Sequence, residues 1–143
     1  EDLCHEAIRM TQLLASHPSA SEPRTHALLA LMCFNASRLT ARTDDAGNLL
    51  RLHEQDRASW DARLIEQATR HLALSAQGDT ISPYHLEAAI AACHSLAADD
   101  ASTDWPRILQ LYDQLIAIAA SPAPRKIPLI KKESTIVPIK YVE

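Results

Sequence analysis

His53-Glu54-Gln55-Asp56-Arg57-Ala58-Ser59-Trp60-Asp61 combines a helix-start signal, an aromatic anchor and paired charges within nine residues. Asp56 reads as an N-cap, because its carboxylate can accept from the backbone donors that a first helical turn leaves unpaired, and its charge suits the helix dipole. Trp60 then falls one turn inside, and Leu64, Ile65, Ala68 and Leu72 follow at the spacing of one helix face. The expectation is a helix from Arg57 to about Ala76, tied to a core by Trp60 and stopped by Gly78. Arg57 and Asp61, one turn apart, are expected to pair at the surface, worth about 0.2–0.5 kcal/mol.

Helical patterns continue on both sides. Residues 3–16 place Leu3, Ala7, Ile8, Thr11, Leu14 and Ala15 on one face and stop before Pro18. Ser21-Glu22-Pro23 offers a hydroxyl cap and a first-turn proline, and Ala27, Leu28, Leu31, Met32, Ala36 and Leu39 carry a stripe to about Ala41. So short a connection predicts an antiparallel hairpin. From Thr43 turn residues come first and apolar ones after, with Leu50 and Leu52 expected to tuck inward. Ser82-Pro83 starts a fourth helix bearing Leu86, Ala89, Ile90 and Cys93, a second hairpin with the third. Thr103-Asp104-Trp105-Pro106 starts a fifth with Ile108, Leu111, Tyr112, Leu115 and Ile116. Trp105, Ile108 and Tyr112 have the spacing found in the first helix of a tetratricopeptide repeat. The fold class is therefore all-α: about five main helices in antiparallel hairpins stacked as a tetratricopeptide-like array, each covering an apolar face of its neighbour.

Composition agrees. Across 143 residues only 4% are aromatic and the only glycines are Gly47 and Gly78, which favours helix over strand. Cys4, Cys33 and Cys93 are odd in number and widely spaced, as expected of reduced, buried thiols in a cytoplasmic protein. No apolar run approaches the ~20 residues that span a membrane. A net charge of −4 argues against a phosphate-tracking surface, so neither nucleic acid nor membrane is an expected partner. Residues 1–125 contain ten Arg and no Lys or Val, whereas 126–143 contain four Lys, two Val and no Arg. The first segment reads as the helical domain and the second as an irregular or extended tail of separate origin. The chain begins at Glu1 inside a helical pattern, which reads as a piece of something longer.

Little points to chemistry. Seven His and the Cys4-His5 and Cys93-His94 pairs invite a metal site, but helical neighbours diverge and no C-x2-C, H-x3-H or H-E-x-x-H occurs. There is no nucleophile elbow and no glycine-rich phosphate loop. No enzyme, cofactor or metal is expected. Trp60, Trp105 and Tyr112 are assigned to core packing, while Tyr84 and its neighbour His85, in the first turn of helix four, are the candidate partner contacts.

Five phrases together resemble one family: Asp2-Leu3-Cys4-His5-Glu6-Ala7-Ile8-Arg9, Ala30-Leu31-Met32, Gln55-Asp56-Arg57-Ala58-Ser59-Trp60-Asp61, Pro83-Tyr84-His85-Leu86-Glu87-Ala88-Ala89-Ile90-Ala91-Ala92, and Thr103-Asp104-Trp105 with Leu111-Tyr112. In order and spacing they are similar to the long C-terminal extension of a group of bacterial extracytoplasmic-function sigma factors, an extension built of tetratricopeptide-like helices. The resemblance spans residues 1–125. It implies polymerase- and promoter-binding sigma domains upstream, and a non-enzymatic regulatory role with the sigma core and RNA polymerase as partners. The alternative is a ligand-sensing domain with a small-molecule pocket between hairpins. After Ser121-Pro122 the chain departs from the family pattern, where a further helix is expected.

Overall fold

The computed structural model describes residues 2–120, and among them the only strand-like pairing is an isolated bridge between Thr43 and Leu49. Five α-helices make the fold: α1 (Asp2–Ser16), α2 (Pro23–Ala36), α3 (Ala62–Ser75), α4 (Pro83–Ser95) and α5 (Trp105–Ala119). Short 3-10 turns occupy Leu39–Ala41, Leu52–Glu54 and Arg57–Ser59. The all-α class is the one read from the sequence. Expectations for 126–143 lie outside the described residues.

α2 is the hub: α1, α3 and α4 all pack against it, and α5 packs on α4. Of the sequence stripe, Ala27 and Ala36 are buried but Leu28, Leu31 and Met32 are half-buried, whereas Leu29, Ala30, Cys33 and Phe34, off the stripe, are fully buried. A helix with neighbours on several sides is apolar nearly all round, so no single face marks its core side. α4 is similar. Its Ala88, Ala91 and Ala92 join Leu29, Phe34 and Leu72 in one cluster, while Leu86, Ala89 and Ile90 join Ile108 and Leu111 of α5 in another. The many alanines leave room for such close packing.

The end helices are covered on one side only. α1 buries Ile8, Thr11 and Ala15, but Leu3 and Leu14, expected on that face, are exposed with Met10 and Leu13. Leu50 and Leu52 are half-buried, as expected, beside an exposed Leu49.

The third helix starts later than its sequence pattern suggests. Asp56 does cap, accepting from the Ala58 N–H at 3.0 Å, but the turn it starts ends at Ser59. Trp60 and Asp61 are extended, and α3 begins at Ala62, where Asp61 accepts from the N–H groups of Arg63 (2.9 Å) and Leu64 (3.1 Å). Asp61 also donates its own N–H to the Ser37 carbonyl at 2.9 Å, which holds the chain against the end of α2 and prevents one continuous helix. α3 stops at Ser75, before Gly78. Gly78 has a different constraint: a Cβ there would stand 2.6 Å from Cγ of Pro23, so the backbone passes the start of α2 only without a side chain. Ser21 does not cap α2 either; Glu22 holds that position, and the Ser21 hydroxyl meets Nε2 of His26 at 3.1 Å.

Candidate functional site

Trp60 is buried, with the Arg57 guanidinium 4.7 Å and that of Arg38 6.0 Å from its ring centroid. Arg57 does not pair with Asp61. Its Nη1 donates to the carbonyl oxygens of His94 (2.6 Å) and Ala97 (3.0 Å), just where α4 ends and its last carbonyls lack helical partners. A cation there also suits the negative end of the helix dipole. The surface pair fails to form because Asp61 is engaged with the amides of α3 while Arg57 reaches a better acceptor set.

Beyond Arg38 opens a cleft of about 290 Å³ between α2, α4 and α5. Asn35 lines it from α2, Arg38 from just past the end of α2, Glu87 and His94 from α4, and Tyr112 from α5. Nη2 of Arg38 donates to Oδ1 of Asn35 at 2.8 Å, but its Nε is buried without a partner, as are Nη2 of Arg57 and Nδ1 of His94. Burial, then the charges of Arg42 and Arg57, hold Arg38 below its ordinary range. His94 is likewise pushed down, by burial first and then by Arg38 and Arg57, against a smaller upward pull from Asp100. Two guanidiniums and an imidazole therefore meet with no carboxylate at ion-pair distance among the described residues. The ion pairs among the described residues, Arg9–Glu6 and Arg24–Glu22 at 2.7 Å, are exposed and elsewhere.

Of the residues singled out from the sequence, most serve structure. Gln55 donates to the Leu50 carbonyl (3.2 Å), Thr103 to that of Asp99 (3.1 Å), and Asp104 caps α5 by accepting from the Arg107 N–H (3.0 Å). Pro83 opens α4. Trp105 and Tyr112 are not core residues: they are 46% and 48% exposed, because α5 has α4 as its neighbour and only Ile108 and Leu111 are fully turned into it. Trp105 sets its ring edgewise to His94, centroids 5.4 Å apart, and Tyr112 borders the cleft. Tyr84 is exposed. His85 beside it is not, at 2%. Its Nδ1 accepts the Ser82 N–H at 3.0 Å, which fixes the proton on Nε2, and that group donates to the Ser75 carbonyl at 3.2 Å. His85 therefore locks the start of α4 to the end of α3.

A second imidazole cluster joins α2 to α3. Nδ1 of His26 lies 3.0 Å from Nδ1 of His71 with ring planes 15° apart, so the two rings share one proton edge to edge. Burial pushes both below the ordinary histidine range, and His71 is lowered further by His26 and Arg70. Among the described residues no group of three or more His, Cys, Asp or Glu converges on a metal site. The three thiols are free, and burial pushes that of Cys33 up to about 12, far from a nucleophile's range. No described helix is long and apolar enough to cross a membrane. The sequence singles out His94 only as a metal candidate and Arg38 not at all, since no local spacing links the residue just past α2 to the last turn of α4.

Comparison with known proteins gives a partial placement. Over 145 aligned positions the chain is 35% identical to an uncharacterized protein of Rhizobium meliloti (strain 1021), covering 99% of this chain and 34% of that protein. The chain thus spans about a third of that relative's length. No solved structure matches. A model of the family of unknown function DUF6596 matches residues 1–76, which takes in α1, α2, the Trp60 turn and all of α3. The chain belongs to the DUF6596 family.

Proposed function

We propose that this chain is a non-enzymatic regulatory and protein-interaction domain of a bacterial extracytoplasmic-function sigma factor, acting in the cytoplasm during transcription initiation. One structural observation carries the interaction reading: both end helices turn apolar rows to solvent, Leu3, Met10, Leu13 and Leu14 on α1, and Trp105, Leu109, Tyr112 and Ile116 on α5. Groups of large exposed apolar residues mark association surfaces when they are not scattered singly. The partner is supplied by the resemblance, whose phrases run from Asp2 through the Trp60 turn to Tyr112. A chain that matches about a third of a longer relative is consistent with one domain of a larger protein.

Co-purification tests the reading. This chain, mixed with the sigma core domains of its parent protein and with core RNA polymerase, is expected to retain at least one of them. Leu109→Asp combined with Ile116→Asp, at exposed positions, is expected to abolish retention without altering the thermal melt. Retention of neither partner by the unaltered chain contradicts the proposal.

A further inference from the structure

The cleft between α2, α4 and α5 has a polarity that protein docking at the outer helix faces leaves unused. At one end Arg38 has, among the described residues, no carboxylate within ion-pair distance, and Asn35 and His94 line the cleft with it. At the other stands Glu87, seven residues before His94 and therefore roughly 10 Å away along the axis of α4. Leu31, Ile90 and Leu115 contribute apolar wall to the same cleft. At about 290 Å³ the space sits at the small end of ligand pockets, roughly 300–1,000 Å³.

We infer that the cleft binds a small organic monoanion, a carboxylate on a short apolar body, with the anionic head at Arg38 and the body along Leu31, Ile90 and Leu115. A guanidinium presents a planar fork that matches a carboxylate, and two parallel N–H donors fix its orientation. Glu87 repels a second negative group at the far end, so dicarboxylates are disfavoured. Burial first, and then the charges of Arg42 and Arg57, depress the proton affinity of Arg38, and a bound anion offsets that like-charge crowding. This site goes beyond the interaction reading and does not depend on it.

Two tryptophans report on the head group, since Trp60 lies against Arg38 and Trp105 against His94. The whole chain is titrated with hexanoate at neutral pH and low salt, following tryptophan emission and the side-chain Nε–H resonance of Arg38, with hexylamine, hexanol, adipate and inorganic sulfate as comparisons. A saturable response to hexanoate is expected, about tenfold or more tighter than to adipate or sulfate, with none to hexylamine or hexanol. Arg38→Gln is expected to abolish it. Should that variant fold poorly, Leu115→Asp, which places an acid on the half-buried α5 wall, is expected to weaken binding about tenfold or more at an unchanged circular dichroism spectrum. The inference is overturned by any one of three results: no saturable response to hexanoate, an equal response to hexylamine or sulfate, or undiminished binding in a folded variant of either kind.

Discussion

Arg57 reaches out of the turn before α3 to cap α4: its Nη1 stands 2.6 Å from the carbonyl oxygen of His94 and donates also to Ala97. One side chain thereby fixes how the Trp60 turn sits against the end of a helix about forty residues further on, as the bond to Ala97 counts them. Hydrogen bonds from a charged donor are worth about 1.5–3 kcal/mol, so Arg57→Ala is expected to lower unfolding free energy by about that much. Arg57→Lys keeps the charge but loses the planar fork over Trp60 and should recover only part of it. Urea melts check both, and a loss below about 0.5 kcal/mol in Arg57→Ala places the bond outside the stabilising set.

Trp60 should matter through its volume and hardly at all through its N–H, because Nε1 is buried without a partner. Trp60→Ala is expected to cost about 3–5 kcal/mol. Trp60→Phe, which keeps most of the ring and removes the unpaired donor, should cost less than about 1.5 kcal/mol. Equal losses in the two variants, measured by denaturant midpoint, contradict this.

The two acidic caps are unequal. Asp61 serves two amides at the head of a 14-residue helix, whereas Asp56 serves one in a three-residue turn. Asp61→Ala should cost about 1–2 kcal/mol and Asp56→Ala about 0.5 kcal/mol. The reverse order in thermal melts means that the helix starts at Arg57 after all.

The sequence carries the all-α class, the five helices and the starts of α4 at Ser82 and α5 at Asp104, because apolar periodicity and Ser, Asp or Pro start signals are local. It does not carry the hub role of α2, since a helix surrounded on several sides has no single apolar face. It misassigns Trp105 and Tyr112 because α5 repeats the pattern of a covered helix while having α4 as its neighbour. The cleft is illegible for another reason. Arg38 and His94 meet only after α2 and α4 pack, and Arg57, which pairs on paper with Asp61, is redirected by that same packing.

Stability should fall on mild acidification. His26, His71, His85 and His94 are all held below the ordinary histidine value of 6.5, with burial the first cause in each. The unfolded chain therefore takes up protons first: the histidine contribution is complete above 6.5 and is lost as pH falls from there toward the folded values. The urea midpoint at about pH 5.5 should lie below that at about pH 7.5, and His85→Asn should flatten the slope. With the two Nδ1 atoms of His26 and His71 in contact, a charge on one ring disfavours a charge on the other, so their resonances should titrate in two steps. A midpoint that rises on acidification contradicts the buried, neutral state of these rings.

We propose that the outer faces of α1 and α5 receive the sigma core or RNA polymerase. Hydrogen–deuterium exchange of this chain within its full-length protein, with and without core polymerase, tests it most directly. Slowed exchange confined to Asp2–Ser16 and Trp105–Ala119 is the predicted result. Unchanged exchange along both helices, with the complex shown to have formed, contradicts it.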